Sequence, residues 1–293
     1  MTGPRKSTMK EDDVTSISWT LSGFGDEIDP DPVIQCAVLQ ALGATHIEVR
    51  SAWGVNIVDL DNDQRDRLAG LFAERGMSVS ALASPIGKVD VALPVQHEVD
   101  RLNRLIDLAH HLNTRYIRVF SFYRSEGAPV EAIREPVLER MRALATVAEG
   151  ADIVLLHENE KEIYGDTPQR CHDILETVHS PALRAAWDSA NFVQVGVRRP
   201  FDEGYALLRP YFEYLQVKDA LSATGTVTPA GHGDGQVAET LAALRDDGYH
   251  GFASLEPHLT DFTTLGGYSG PEAFGRAARA LRTLTDSIGV TLV

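Results

Sequence analysis

The hydrophobic pattern of this chain repeats one unit along its length. Each unit has an amphipathic segment of about 12 to 20 residues, then a Gly or Asn, then a short apolar run that ends in polar residues. Clear copies of the apolar run begin after Gly43, Gly76, Asn113, Gly150 and Gly248. Gly and Asn readily adopt the left-handed conformation that ends a helix, and the run that follows suits a strand buried on both faces. The pattern therefore predicts alternating helices and parallel strands.

Eight strands and eight helices are predicted when the weaker copies are included. The strands lie near residues 16–23, 45–50, 78–83, 115–121, 152–158, 183–188, 212–218 and 251–256. The helices lie near residues 31–42, 62–75, 94–112, 130–149, 167–178, 201–210, 236–247 and 271–287. Eight alternations with right-handed crossovers close into a (β/α)₈ barrel. We therefore predict an α/β fold, a TIM barrel formed by residues 14–293 as a single domain, after a disordered N-terminal lead of residues 1–13.

Composition and charge narrow the classes of partner. The 293 residues are 43% hydrophobic and 24% charged, which is average for a globular protein. The net charge of −15 repels phosphate backbones and anionic lipids, so we expect neither nucleic acid nor membrane as a partner. With only two cysteines and no apolar leader segment, the expected location is the cytoplasm.

Potential metal ligands follow four consecutive predicted strands. These residues are Glu158, Asp188, Gln216 and Glu256, at the strand ends where TIM barrels place their active sites. Neighbouring strands would bring the side chains to one point, where three carboxylates repel one another unless a proton or cation intervenes. Oxygen ligands of this kind suit Mn²⁺ or Mg²⁺. For any one of these acids taken alone, helix capping or a surface position is the alternative.

Six short segments carry a family resemblance. In chain order they are His157-Glu-Asn-Glu, Tyr164-Gly-Asp-Thr-Pro, Trp187-Asp-Ser-Ala-Asn-Phe192, Val217-Lys-Asp219, Gly231-His-Gly-Asp-Gly235 and Glu256-Pro-His258. Together they resemble the xylose isomerase-like TIM barrels, the sugar phosphate isomerase/epimerase superfamily, over essentially the whole predicted domain. The resemblance implies that the four strand-end residues are the metal ligands, and that Glu158 and Glu256 are also the catalytic acid and base on opposite faces of the substrate.

The resemblance implies a divalent-metal-dependent isomerase or epimerase of a ketose or keto-sugar derivative. Such an enzyme removes a proton next to a metal-bound carbonyl and passes through an enediolate. Mn²⁺ is the expected ion, with Mg²⁺, Co²⁺ and Zn²⁺ as alternatives, and relatives often form homodimers or homotetramers. The alternative activity is that of a metal-dependent dehydratase or lyase acting on an oxidised sugar or cyclitol, similar to inosose or dehydroshikimate dehydratase. A sugar-binding barrel without catalysis and an endonuclease IV-like nuclease are further classes, and the net charge disfavours the nuclease.

Two positions depart from the family pattern. Gln216 stands where most relatives have His, and Asn191 stands where many have the His of an Asp-x-x-His motif. Gln can ligate through its carbonyl oxygen, as it does in dehydroshikimate-dehydratase-like members, and an all-oxygen site favours Mn²⁺ or Mg²⁺ over Zn²⁺. The second change would alter how substrate is held, so Asn191 is a candidate substrate-binding residue.

Other candidate substrate-binding residues follow the predicted strands. Lys218, His258, Arg50 and Glu160 are candidates for holding hydroxyl, carboxylate or phosphate groups. Lys218 could instead pair with its neighbour Asp219, and Glu160 could be the first acid of a solvated loop.

Two aromatic residues and one Gly-rich segment leave alternatives open. Trp53 and Phe24 could form an apolar wall against a sugar ring or simply pack in the core. The segment Gly231-His-Gly-Asp-Gly235 could cradle a phosphate with its backbone N–H groups, or it could be a flexible loop that closes the barrel mouth and caps the next helix. We favour the loop.

Overall fold

The computed structural model describes residues 17–125, 127–260 and 268–293 of the chain, so the predicted lead of residues 1–13 lies outside the described residues. Eight strands alternate with helices, as the hydrophobic pattern predicts. They are β1 (Ile17–Gly23), β2 (His46–Val49), β3 (Ser78–Leu82), β4 (Tyr116–Val119), β5 (Val154–Glu158), β6 (Leu183–Asp188), β7 (Phe212–Val217) and β8 (Phe252–Leu255).

The strands pair in parallel and in chain order around a barrel. Each strand from β2 to β7 pairs with the next strand along the chain, and β8 pairs with β1. A parallel bridge between Phe24 and Glu48 joins the chain just after β1 to β2 and closes the ring. A short ninth strand, β9 (Val290–Leu292), adds to the amino-terminal half of β1. The predicted (β/α)₈ barrel, a single α/β domain, is confirmed.

The helices surround the sheet, and seven of the eight predicted ones form. They are α1 (Pro32–Ala41), α2 (Asn62–Arg75), α3 (Val95–His111), α4 (Arg134–Gly150), α5 (Pro168–Val178), α7 (Val237–Asp246) and α8 (Gly270–Ser287). A short helix that the pattern does not predict, α6 (Ser189–Gln194), precedes α7. None of the described helices combines the length and the apolar character needed to cross a membrane.

The predicted helix at residues 201–210 is wrong in its detail. The chain there forms three consecutive short helical turns, Phe201–Tyr205, Ala206–Leu208 and Arg209–Tyr211. Gly204 and Pro210 explain the interruption, because glycine weakens a helix and proline removes a backbone donor. Gly204 also lies against the ring of Pro168, where a Cβ atom would come within 2.7 Å of Cγ.

The alternation of side chains along the strands places the polar residues at one end of the barrel interior. Leu156, Ala186 and Tyr214 belong to one buried cluster. Two residues further along β5, β6 and β7 are Glu158, Asp188 and Gln216. Because side chains alternate between the two faces of a strand, residues two apart share a face. The apolar layer therefore supports a polar layer at the carboxyl-terminal end.

The loop after β3 is held against the loop after β4 at a glycine. Phe122 donates its backbone N–H to the Gly87 carbonyl at 2.9 Å. Gly87 has φ +83°, and a Cβ atom there would lie 2.0 Å from the carbonyl oxygen of Phe120. Only glycine fits this position, which immediately precedes Lys88 at the barrel mouth.

We expect Gly87→Ala to lower the free energy of unfolding by about 3 kcal/mol or more, because it combines a left-handed backbone with a steric clash. The matched control is Gly54→Ala, which has φ +73° and no neighbouring atom within 4 Å. It should cost only about 1 to 2 kcal/mol for the backbone conformation. Urea denaturation followed by circular dichroism measures both values, and equal losses would contradict the argument.

Candidate active site

Three carboxylates converge at the carboxyl-terminal end of the barrel. Glu158 and Asp188 are the last residues of β5 and β6, and Glu256 directly follows β8. All three are buried, and one oxygen of each lies within 4.8 Å of the corresponding oxygens of the other two. The structure therefore brings together three of the four metal ligands that the sequence predicts.

The fourth predicted ligand, Gln216, lies between two buried carboxylates. Its Nε2 lies 3.3 Å from Oε1 of Glu48 and can donate to it, and the carbonyl oxygen then faces both Glu158 oxygens. Rotating the amide by 180° lets the nitrogen donate to both Glu158 oxygens at 3.0 Å, and this orientation satisfies both ends of the amide. The first orientation gathers oxygen atoms only, which is the donor set that a hard divalent cation prefers.

Two buried cations neutralise much of this negative charge. Lys218 Nζ lies 2.9 Å from Asp188 Oδ2 and 2.9 Å from Glu256 Oε2. Arg118 Nη1 lies 3.0 Å from Glu158 Oε2 and 3.7 Å from Glu256 Oε1. Lys218 therefore does not use the adjacent acid of the sequence, Asp219, as its partner; it bridges the carboxylates of two different strands.

The three carboxyl groups differ in proton affinity. Burial raises the pKa of Glu158 to about 8 although Arg118 opposes the shift. Burial also raises the pKa of Asp188 to about 6, against the effect of Lys218. Burial alone would raise the pKa of Glu256, but Lys218 and His258 outweigh it and hold that pKa well below its usual range. The site can therefore hold one carboxyl protonated beside one that is ionised.

Arg50 and His258 contact Glu256 from two other loops. Arg50 Nη1 lies 3.2 Å from Glu256 Oε1, while its Nε donates to Asp26 Oδ2 at 2.8 Å. The His258 Nε2 lies 3.5 Å from the same Glu256 oxygen and 3.1 Å from Glu27 Oε1. Glu27 also accepts the backbone N–H of His258 at 2.8 Å, so the loop after β1 orients the loop after β8.

Asn191 and Glu160 have defined partners at the mouth of the barrel. Asn191 Nδ2 donates to Glu158 Oε1 at 3.0 Å, so this residue holds a predicted catalytic carboxylate. Glu160 pairs with Lys88 Nζ at 2.9 Å. Burial alone would raise the pKa of Glu160, but Lys88 and Lys161 lower it to about 2. Glu160 is therefore an ion-paired residue and not a solvated loop acid.

These side chains line a cleft of about 350 Å³. Among the candidate residues that line it are Arg50, Glu158, Glu160, Asn191, Lys218, Glu256 and His258. Asp188 and Gln216 are buried, with exposed fractions of 0% and 1%, beneath the cleft. The volume suits a single small polar molecule.

The two aromatic candidates do not form a wall of the cleft. Trp53 lies in the turn after β2 with φ +53°, and its ring packs under the Arg67 guanidinium at 4.4 Å. Phe24 is fully buried, and the Arg50 and Arg118 guanidinium groups lie over its ring at 5.0 and 5.2 Å. Phe24 therefore supports the cations of the site.

The sequence indicates no role in the site for Arg118, Lys88, Glu48 or Glu27. Arg118 in β4 and Glu48 in β2 are charged residues near the ends of predicted strands, and this position indicates the barrel mouth but not the partner of either side chain. Lys88 lies on a loop and Glu27 in the short 3₁₀ turn Gly25–Glu27, and the hydrophobic pattern of the sequence does not indicate where side chains in such segments point. Their roles depend on loop conformations that only the tertiary structure specifies.

The Gly-rich segment after β7 wraps around the carboxylate of Asp219. That carboxylate accepts backbone N–H groups from Gly231, Gly233 and Gly235 at 2.9 to 3.0 Å, and from Ala220 at 2.9 Å. The amides that a phosphate would need are therefore directed at a side chain of the protein itself. This geometry favours the loop interpretation over the phosphate cradle.

Comparisons with known proteins agree on one family. The family model described as xylose isomerase-like TIM barrel matches residues 36–284. The 2-epi-5-epi-valiolone 7-phosphate 2-epimerase of an Actinoplanes species is 30% identical over 220 residues, which cover 69% of this chain and 77% of the relative.

Two solved structures illustrate the likeness in fold. The probable 3-DHS dehydratase AsbF from Bacillus anthracis superposes with a TM-score of 0.71 at 18% identity, covering 91% of this chain and 99% of that one. A xylose isomerase-like TIM barrel protein from Mycobacterium smegmatis, in complex with magnesium, gives a TM-score of 0.64 at 20% identity and covers 93% and 97% of the two chains.

We expect Asp219→Asn to lower the free energy of unfolding by about 2 kcal/mol, because the new amide has one acceptor oxygen for several buried N–H groups. Backbone amides at 231–235 should exchange hydrogen faster, as hydrogen-exchange mass spectrometry would report. The control Asp246→Asn alters an exposed residue that pairs with its neighbour Arg245, and it should change stability by less than about 0.5 kcal/mol. Unchanged exchange in Asp219→Asn would contradict the role of this carboxylate.

Proposed function

This chain belongs to the xylose isomerase-like TIM barrel family, and on that premise we propose that it is a divalent-metal-dependent epimerase or isomerase of a ketose or keto-sugar derivative. The observation that carries the proposal is the convergence of Glu158, Asp188 and Glu256 with Gln216 under a cleft of about 350 Å³. The Actinoplanes relative is named as a 2-epimerase of a 7-phosphate substrate, and this similarity supports the same class of reaction here.

The four converging residues would hold the metal ion. Glu158, Asp188 and Glu256 offer carboxylate oxygens and Gln216 offers a carbonyl oxygen, so the donor set fits a hard divalent cation. We propose Mn²⁺, with Mg²⁺, Co²⁺ and Zn²⁺ as alternatives in that all-oxygen site. An ion bound there would polarise a substrate carbonyl and acidify the neighbouring C–H group.

Glu158 and Glu256 would move the proton. In the sheet, β5 and β8 are separated by β6 and β7, so the two carboxylates approach a bound substrate from different directions. One removes the proton from the carbon beside the carbonyl, and the other returns a proton to the opposite face of that carbon. This exchange inverts the configuration, which is epimerisation.

The remaining side chains of the cleft would hold the substrate. Arg118 and Lys218 contact the two catalytic carboxylates, where positive charge stabilises the negative charge that develops on a substrate oxygen. Asn191 fixes the direction of Glu158. Arg50 and His258 lie on the other side of the site beside Glu256, in position to bind hydroxyl or phosphate groups.

Solvent deuterium should enter the substrate. We expect the Mn²⁺-loaded protein, incubated in D₂O with 2-epi-5-epi-valiolone 7-phosphate and a panel of ketoses, to place one deuterium on the carbon beside the carbonyl of its substrate. Mass spectrometry and NMR would detect this with the mass otherwise unchanged. Loss of water would instead support the second candidate, a dehydratase or lyase of an oxidised sugar or cyclitol. Binding without exchange or elimination would indicate a sugar-binding barrel.

Glu158→Gln and Glu256→Gln should each reduce the exchange rate by roughly 10²- to 10⁴-fold, because each removes a group that transfers the proton. Glu162→Gln is the matched control, since Glu162 is an exposed carboxylate at the rim of the same cleft, and it should retain most of the rate. Full exchange in either of the first two variants would overturn the assignment of the pair.

Removal of divalent ions with a chelator should abolish exchange, and Mn²⁺ should restore it, because the carbonyl is no longer polarised without the ion. Rates at equal concentrations of Mg²⁺, Co²⁺ and Zn²⁺ would rank the alternatives. Full activity in protein that elemental analysis shows to be free of metal would contradict the metal-dependent mechanism.

A further inference from the structure

Glu48 is a fully buried carboxylate whose two oxygens have different partners. It lies in β2, on the floor of the barrel next to the predicted metal ligands. Its Oε2 accepts the hydroxyl groups of Tyr214 at 3.0 Å and Ser254 at 2.5 Å. Its Oε1 accepts Nε2 of Gln216 at 3.3 Å. One end of the carboxylate is therefore held by two hydroxyl donors, and the other end faces the amide.

The Gln216 amide can satisfy only one of its two carboxylate neighbours with its nitrogen. With the nitrogen toward Glu48, the carbonyl oxygen points at Glu158. With the nitrogen toward Glu158, the amide donates to both Glu158 oxygens at 3.0 Å and is satisfied at both ends. Only the first orientation offers an oxygen to a cation between the carboxylates.

We propose that Glu48 is a positioning residue that turns the Gln216 amide so that its carbonyl oxygen faces the cation site. The inference rests on the proposed function, because it concerns the ion that the site would hold. A buried amide N–H without an acceptor is destabilising, so a Gln216 carbonyl directed at a cation requires an acceptor for the nitrogen at the other end of the amide. Glu48 Oε1 is that acceptor.

Partners behind a metal ligand commonly fix its orientation and contribute to affinity. A His ligand is held in this way by an acceptor for its second ring N–H. The Gln side-chain amide has two nearly isosteric ends, one a donor and the other an acceptor. The neighbour behind the amide therefore decides which end faces the cation site. In this chain Glu48 is the neighbour that stands behind position 216.

The substitution Glu48→Gln tests this with little change of shape. Tyr214 and Ser254 both donate to Oε2, so they favour the carbonyl end of the new amide at that position. The NH₂ group of the new amide then faces Gln216. Because this group is a hydrogen-bond donor, it attracts the carbonyl oxygen of Gln216 and turns it away from the cation site. We expect Mn²⁺ affinity, measured by isothermal titration calorimetry on metal-free protein, to fall about 10- to 100-fold.

Two controls separate this effect from a general loss of packing. Ser254→Ala removes a hydrogen bond to the other oxygen of Glu48 and leaves the Gln216 contact in place, so Mn²⁺ affinity should change less than about threefold. In a Gln216→Met background there is no amide to turn, so adding Glu48→Gln should change the already weakened affinity by less than about threefold. Circular dichroism would verify that each variant is folded.

The outcomes distinguish this inference from the function on which it rests. The positioning role would be overturned if Glu48→Gln lowered Mn²⁺ affinity equally in the unaltered protein and in the Gln216→Met background. It would also be overturned if Glu48→Gln alone left the affinity unchanged. Either result would leave the proposed metal site intact. Failure of the unaltered protein to bind Mn²⁺, Mg²⁺, Co²⁺ or Zn²⁺ would overturn both the inference and the proposed metal dependence.

Discussion

The mouth of this barrel depends on the neutralisation of three carboxylates that the fold buries side by side. Oxygens of Glu158, Asp188 and Glu256 lie within 4.8 Å of one another. At an effective dielectric constant of about 20, each pair of full negative charges at that distance would repel by roughly 3 kcal/mol. Lys218 and Arg118 reach these oxygens at 2.9 and 3.0 Å. The arrangement holds because strands that are distant in the chain supply the opposing charges.

Aromatic rings stabilise the Arg and Lys side chains that neutralise the carboxylates. Arg50 and Arg118 lie over the ring of Phe24, and Lys88 lies over Phe120 at 4.3 Å, contacts that stabilise a cation where water is scarce. Among the described residues, five Lys or Arg side chains and four Glu side chains line the cleft. The surplus of negative charge in the whole chain therefore does not describe the region where a substrate would bind.

Strand-end reasoning located much of the site because it uses two local properties, the position at which a strand ends and the face on which its side chains lie. These properties bring Glu158, Asp188 and Gln216 together. The same reasoning could not give Glu48 a role, because its partners Tyr214 and Ser254 are 166 and 206 residues away. It also left open whether Trp53 lies beside a sugar ring or packs in the core, and the left-handed turn after β2 directs that ring toward Arg67.

The sequence by itself determined the alternation of strands and helices, the barrel, and the polar ends of its strands, because periodicity and helix-ending residues are local properties. Only the tertiary structure decided which charges pair. Lys218 bridges Asp188 and Glu256, while its neighbour Asp219 is occupied by the amides of the Gly-rich loop. Lys218 and Asp219 follow β7 in immediate succession, yet their side chains have different partners, and only the closed barrel brings the distant partners of Lys218 within reach.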